Sequence, residues 1–136
     1  MSVAGSLDTN ILARLMVRDD PAQTALVVEL LGRHAQRSES LWVPITVMLE
    51  LEWILRSRYK FEQAEVIKTF SALLMTIELV FESEDALEQA IANYQEGGAD
   101  FGEYLHLALA RHGQAIPFWT FDLKAAKAAG ASLLKT

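Results

Sequence analysis

The chain has 136 residues, about half of them apolar, which suffices for one domain with a single hydrophobic core. It contains no cysteine, which excludes disulfides, thiolate chemistry and cysteine-ligated zinc. The net charge of −6 disfavours simple electrostatic binding to nucleic acid, so contact with phosphate requires local basic groups or a bound metal ion.

The first half of the chain alternates predicted strands and helices. A short strand over residues 3–8 ends at Asp8, and the spacing of apolar residues predicts a helix over 9–17. Asp20 followed by Pro21 is typical of a helix start, with Asp as the N-cap. The other elements predicted here are the helix that follows, to about residue 34, a buried strand over 41–44, helices over 46–58 and 61–75, and a strand over 76–80.

The second half continues the alternation. Ser83 caps a helix that ends at Gly97 and Gly98, and Asp100 opens another that runs to about Arg111. The remaining predictions are a buried strand over 116–121, a helix from Asp122 to Gly130 and a short strand over 132–134. Strands separated by helices predict one α/β domain, residues 1–136, with a mostly parallel sheet covered on both faces. In such sheets ligands bind beyond the carboxyl ends of the strands.

Several carboxylates stand where such a ligand would bind. Asp8 and Asp122 each follow a predicted strand, and each also fits the N-cap of the next helix. Asp100 and Glu103 share one face at a helix start, a spacing that equally fits a capping box between their side chains. None of the four requires a ligand when it is considered alone.

Glu50 and Glu52 are two residues apart on one predicted helix and therefore face nearly opposite directions. Glu50 shares a face with Val47 and Ile54, which places it on an apolar stripe, whereas Glu52 precedes Arg56 by four residues as an ordinary surface pair. A carboxylate on an apolar stripe is costly unless it is paired, protonated or bound to metal. Glu50 is therefore the candidate for function, although pairing with an arginine would also explain it.

Four blocks of sequence together resemble the PIN domain family, and specifically VapC-like toxins of toxin–antitoxin pairs. LDTNIL at 7–12 resembles the opening strand and first Asp of the family, and RDDP at 18–21 is similar to a stretch common in one VapC subgroup. VPITVMLELEWILR at 43–56 resembles the helix that bears the family Glu, here Glu50. GADFGEYLHLALA at 98–110 and FWTFD at 118–122 resemble the two C-terminal acidic blocks.

The resemblance implies a three-layer α/β/α fold with a mostly parallel central sheet and a Mg²⁺ or Mn²⁺ site. It implies a cytoplasmic endoribonuclease that hydrolyses phosphodiester bonds of RNA with metal-activated water, is inhibited by a cognate antitoxin protein and forms a homodimer. The implied catalytic residues are Asp8, Glu50, Asp100 and Asp122. The implied metal ligands are these four and Glu103. Residues beside them that would orient carboxylates or waters are Thr9, Asn10, Thr46 and Thr120; capping of a helix explains Thr9, Asn10 and Thr46 equally well.

Two positions depart from the family pattern. Many relatives have Asp where this chain has Glu103, and a basic residue often follows the family TFD, where this chain has Leu123. Both departures favour an alternative, a catalytically weakened binding module that engages an antitoxin or RNA without efficient cleavage. Asn10 stands where a phosphatase of the aspartyl-phosphate type would carry its second Asp, which argues against that enzyme class.

The remaining features add partners and exclusions. Exposed arginines at 14, 18 and 56 are candidates for contact with phosphate or antitoxin, and the apolar helices over 22–34 and 47–75 can supply a dimer face, an antitoxin groove or simply internal packing. No apolar run approaches the roughly 18 residues that a membrane-spanning helix needs, so we expect no membrane contact. The common nucleotide-binding, zinc-protease and serine-hydrolase motifs are absent from the sequence.

Overall fold

A computed structural model describes residues 2–135, in which the chain folds as two compact units, one up to Glu82 and one from Ser83 onward. The described residues form six α-helices and five strands, and every strand pair among them is parallel. The α/β class and the parallel pairing predicted from the sequence are therefore confirmed. None of the described helices combines the length and apolar character needed to cross a bilayer.

The first unit contains a three-stranded parallel sheet in the order β1-β2-β3. Ser2 of β1 pairs with Glu39 of β2, and Leu41 of β2 pairs with Leu79 of β3. The elements are β1 (Ser2–Ser6), α1 (Thr9–Val17), α2 (Pro21–Gln36), β2 (Glu39–Val43), α3 (Ile45–Ser57), α4 (Gln63–Leu74) and β3 (Leu79–Phe81).

The second unit contains two helices and a two-stranded parallel sheet. Helices α5 and α6 pack closely, and the Tyr94 and Phe101 rings meet edge to face with centroids 5.6 Å apart. Phe118 of β4 pairs with Ala131 of β5. The elements are α5 (Glu84–Glu96), α6 (Phe101–His112), β4 (Phe118–Thr120), a 3-10 turn (Ala125–Lys127) and β5 (Ala131–Leu133).

Helix starts and ends follow the sequence signals in most places. Asp20 caps α2 by accepting a hydrogen bond from the Gln23 N–H at 3.1 Å, with Pro21 at the first helical position. Helix α3 begins at Ile45, one residue before the predicted start, because Pro44 ends β2 with an extended backbone.

Several predicted boundaries are wrong, including those of the strand predicted over 116–121, which covers only Phe118–Thr120. Strand β1 ends at Ser6 rather than Asp8, and β3 starts at Leu79 rather than at residue 76 because Leu73, Thr76 and Leu79 are joined in turns by backbone hydrogen bonds. The predicted helix from Asp122 to Gly130 is only the short 3-10 turn, since the backbone becomes extended at Ala128.

The orientation predicted for α3 is also wrong. Met48, Leu51 and Leu55 are fully buried at i, i+3 and i+7, and this spacing carries Glu52 inward with them. Glu52 is only 2% exposed, whereas Glu50 is exposed, together with Thr46 and Trp53 on its face. Val47 and Ile54, which share a face with Glu50, lie at the edges of the buried apolar stripe. The spacing of apolar residues by itself therefore indicated the wrong buried face.

Arg56 offsets the buried charge of Glu52. Its Nη2 donates to Glu52 Oε1 at 3.0 Å, and its Nε donates to the other carboxylate oxygen, so the guanidinium binds the carboxylate with two parallel hydrogen bonds. The i,i+4 pair foreseen in the sequence therefore exists, but its acidic member lies in the interior. A buried carboxylate held in this way stabilises α3 in one rotational setting, with Glu50 outward.

Replacing Glu52 with Gln removes the buried charge while nearly keeping the side-chain volume. We expect the free energy of unfolding to fall by about 1–3 kcal/mol, because hydrogen bonds to a charged group are weakened in a buried position. Urea unfolding followed by circular dichroism measures the change. The matched control, Glu50→Gln on the exposed face, should cost less than about 0.5 kcal/mol. Equal losses in the two variants would contradict the burial of Glu52.

Candidate active site

Asp8 lies at the junction between β1 and α1. The strand pairing continues one step past β1, because the Leu7 N–H donates to the Trp42 carbonyl at 2.9 Å, and the buried Leu7 side chain anchors the junction. Asp8 Oδ1 then accepts from the Thr9 N–H at 2.7 Å as the N-cap of α1. The side chain is exposed, and its second oxygen has no partner among residues 2–135. Asp8 is thus both a cap and an available ligand.

Thr9 carries a polar atom that the described residues leave unsatisfied. Its side chain is 2% exposed, and its Oγ1 has no hydrogen-bond partner among residues 2–135. Buried hydroxyls nearly always have a partner, either protein or ordered water. A water or an oxygen ligand beside Asp8 would satisfy this group, which fits the role proposed for Thr9 next to a metal ion. Asn10, one residue on, is exposed on α1.

Helix α3 presents Thr46 and Glu50 from a start that a neighbouring strand stabilises. Pro44 at its N-cap has no hydrogen-bonding side chain, and Glu82, just after β3, supplies the acceptor: its Oε1 accepts from the Ile45 N–H at 2.8 Å. Sequence reasoning missed Glu82, although its position directly after a strand is the signal that selected Asp8 and Asp122. The Glu50 carboxylate has no partner among the described residues, so it too is available.

Asp100 is the N-cap residue of α6, but its side chain makes no capping hydrogen bond. Only its backbone carbonyl is used, accepting from the N–H groups of Glu103 at 3.1 Å and Tyr104 at 3.4 Å. The side-chain capping box between Asp100 and Glu103 is therefore not formed, so capping does not explain the presence of the Asp100 carboxylate. The exposed Asp100 carboxylate has no partner in the described part of the chain.

Three of the predicted residues in the second unit are joined by one chain of hydrogen bonds. Thr120 Oγ1 donates to Glu103 Oε2 at 3.4 Å and accepts from the Asp122 N–H at 3.0 Å. Asp122 Oδ1 in turn accepts from the N–H groups of Lys124 and Ala125, each at 2.9 Å. Thr120 therefore orients both acidic residues, as expected for a residue that supports ligands.

The donor set suits a hard divalent cation. Mg²⁺ and Mn²⁺ prefer carboxylate and water oxygens. Four carboxylates each have at least one oxygen without a partner in the described part of the chain: Asp8, Glu50, Asp100 and Asp122. Within residues 2–135, no three His, Asp or Glu side chains are grouped so as to hold a metal ion. Each of these carboxylates, taken singly, is therefore of the type that such an ion binds.

Asp122 allows capping and ligation to be separated by substitution. Asp122→Ala removes the acceptor for two backbone N–H groups and should lower the free energy of unfolding by about 1 kcal/mol. Asp122→Asn keeps an acceptor oxygen and should cost only a few tenths of that amount. Urea unfolding of both variants checks the difference, and equal stability of the Ala variant and the unsubstituted protein would show that the cap contributes nothing.

One family model matches this chain. The family model for the PIN domain matches residues 6–131, a segment that includes every site residue named above. A search of curated proteins finds no match to the chain. Because the matched segment is nearly the whole chain, the protein belongs to the PIN domain family, whose members are generally nucleases and typically use divalent metal ions.

Proposed function

We propose that this protein is a divalent-metal-dependent endoribonuclease and the toxin of a VapC-like toxin–antitoxin pair. Membership of the PIN family supports the nuclease class. The observation that carries the proposal is the state of Asp8 and Asp122, each of which follows a strand, uses one oxygen on backbone N–H groups and has the other free. Glu50 and Asp100 add four exposed carboxylate oxygens without partners among residues 2–135.

In the proposed mechanism Asp8, Glu50, Asp100, Glu103 and Asp122 hold the cation. A bound Mg²⁺ or Mn²⁺ supplies activation of water and stabilisation of the charge that develops on phosphate. The protein contributes orientation: Thr9 N–H holds the Asp8 carboxylate, and Thr120 links the Glu103 carboxylate to the Asp122 backbone. These hydrogen bonds limit the rotation of the ligands before the cation binds, which reduces the entropy lost on binding.

The proposed partners are an RNA substrate, a cognate antitoxin protein and a second copy of the chain. Helix α2 supports a protein contact because Pro21, Ala25 and Val28, at i, i+4 and i+7 on one face of the helix, are all exposed. A shallow depression on the same helix is lined by Pro21, Ala25 and Val28. Exposed apolar residues grouped on one helix are typical of surfaces that another protein covers.

Asp8→Asn tests the function directly, because Asn keeps an oxygen for the Thr9 N–H and removes the negative charge. We expect Mn²⁺-dependent cleavage of total RNA to fall by more than about 100-fold, since even the loss of groups that only support ligands costs about 10- to 100-fold. Cleavage by protein purified free of antitoxin, with Mn²⁺ and with chelator, gives the measurement. Glu88→Gln, an exposed carboxylate on α5, is the control and should cut normally. Cutting that survives chelation or Asp8→Asn would refute the proposal.

The second candidate function is a binding module with weakened catalysis, and Glu103 is the observation that favours it. The longer side chain is half-buried, and the Thr120 hydroxyl occupies one of its oxygens. A side chain engaged in this way offers less to a cation than a shorter carboxylate with both oxygens free. RNA would then be bound without efficient cutting.

Glu103→Asp separates the two candidates. If Glu103 weakens catalysis, the shorter side chain should raise the rate of Mn²⁺-dependent RNA cleavage several-fold, because one methylene moves the carboxylate by about 1.5 Å. Glu103→Gln, which keeps the length and removes the charge, is the matched control and should lower the rate. An unsubstituted protein that folds and binds RNA but does not cut it, with cutting restored by Glu103→Asp, would establish the binding module instead.

A further inference from the structure

We propose that a cavity in the second unit binds a backbone phosphate of RNA, which rests on the nuclease function proposed above. The cavity has a volume of about 440 Å³ and lies between the loop that follows α5 and the 3-10 turn. Its lining includes both charged and polar side chains, together with a glycine of the loop: Lys124, Lys127, Asn93, Glu96, Gly98 and Tyr104.

Lys124 and Lys127 place two positive charges in this cavity. Both side chains are exposed, and neither ammonium group has an ion-pair or hydrogen-bond partner among residues 2–135. Glu96 supplies the one carboxylate of the lining, so the formal charge of the cavity is positive in a chain whose net charge is −6. A local surplus of cations in an acidic protein is the electrostatic feature that attracts a phosphate.

The position of Lys124 depends on a glycine. A Cβ atom built on Gly98 would lie 2.8 Å from Lys124 Cδ and 3.5 Å from its Nζ, so the lysine stem lies directly against the backbone of the loop. The loop itself is held by Tyr104, which is 2% exposed and whose hydroxyl accepts from the Ala99 N–H at 3.2 Å. One wall of the cavity is therefore formed before any ligand binds, which lowers the entropic cost of binding.

The side chains favour phosphate over other anions. Lys ammonium groups bind phosphate as compact point charges, and the Asn93 amide adds N–H donors beside them. The lining offers no planar guanidinium fork, the group best matched to a carboxylate. The geometry points to a tetrahedral oxyanion contacted by separate donors.

RNA is the source of phosphate that the position of the cavity favours. Lys124 is two residues from Asp122, whose Oδ1 accepts from the Lys124 N–H, and Gly98 is two residues from Asp100. Two residues span at most about 7 Å of chain. Lys124 and Gly98, on the two walls of the cavity, therefore each lie within about that distance of a proposed metal ligand. A strand of RNA held at those carboxylates would bring further phosphates to this cavity.

The arginines first considered for phosphate are engaged within the first unit. Arg14 Nη1 donates to Tyr59 Oη at 2.9 Å and also contacts Asp19, while the Arg18 Nε donates to the Leu15 carbonyl at 3.1 Å. Arg56 holds the buried Glu52. Since these guanidinium groups already have protein partners, Lys124 and Lys127 are better placed to meet a new anion.

The test measures binding of a short labelled single-stranded RNA by fluorescence anisotropy, with chelator present so that no cleavage occurs, at several salt concentrations. Lys124→Ala/Lys127→Ala in the full chain should bind about tenfold more weakly. The slope of log affinity against log salt should decrease in magnitude by about 0.7, because the cavity holds one phosphate and each phosphate neutralised on a single strand contributes about 0.7. Circular dichroism verifies that the variant is folded.

Two variants serve as controls. Lys68→Ala/Lys135→Ala removes the same charge at exposed positions outside the cavity and should leave the affinity within about twofold and the slope unchanged. Lys124→Arg/Lys127→Arg keeps both charges and should retain most of the affinity. If the two Ala variants lose affinity equally, or if neither changes the slope, the cavity does not bind RNA.

Three further outcomes are decisive. A poly-glutamate peptide that binds the unsubstituted protein but not the double Lys→Ala variant, while both bind RNA equally, would assign the cavity to an acidic protein segment and overturn the proposal. RNA binding lost in the double variant, in a protein that never cuts RNA with Mn²⁺, would support the cavity and reject the nuclease. Normal cutting by the unsubstituted protein with no effect of the double variant on RNA binding would reject the cavity alone.

Discussion

The backbone N–H groups at the first turn of each helix, which have no partner inside the helix, determine where several carboxylates of this chain lie. Asp8 serves α1, Asp20 serves α2, and Glu82 serves α3 from the adjacent strand. Asp122 does the same for the 3-10 turn. The starts of α1, α3 and the 3-10 turn follow strand ends, which is where α/β proteins bind ligands, whereas α2 follows α1. Residues that cap helices therefore place acidic side chains near strand ends, where a cation could bind.

Capping and ligation are compatible because a carboxylate has two oxygens and about four acceptor sites. Asp8 and Asp122 each satisfy backbone groups with Oδ1, which orients the carboxylate while Oδ2 has no described partner. Asp100 differs, since its carbonyl accepts only the first intrahelical bonds, its side chain does not cap, and neither carboxylate oxygen has a partner among residues 2–135. A cap explanation and a ligand explanation for the same residue are therefore not alternatives in this protein.

Charge is distributed unevenly in this acidic chain. Arg14 contacts Tyr59 and Asp19, and Arg56 binds Glu52. These contacts lie within the first unit. Lys124 and Lys127 share a cavity in the second unit without such partners in the described residues. Net charge alone predicted weak attraction for nucleic acid. The potential near a binding site depends on the nearest charges, however, because salt largely screens charges more than about 10 Å away.

The sequence by itself determined the α/β class, the parallel pairing, most helix bounds and the resemblance to the PIN family, because periodicity, capping residues and short acidic motifs are local signals. It did not determine which face of α3 is buried. Apolar residues lie on both sides of Glu50, and only packing of Met48, Leu51 and Leu55 placed Glu52 inside with Arg56. Tertiary structure alone also revealed Glu82 as the cap of α3, the link from Glu103 through Thr120 to Asp122, and the approach of Lys124 to Gly98. These contacts join elements that are at least 17 positions apart along the chain, so no local pattern predicts them. The buried face of α3 likewise depends on the neighbouring elements that pack against it.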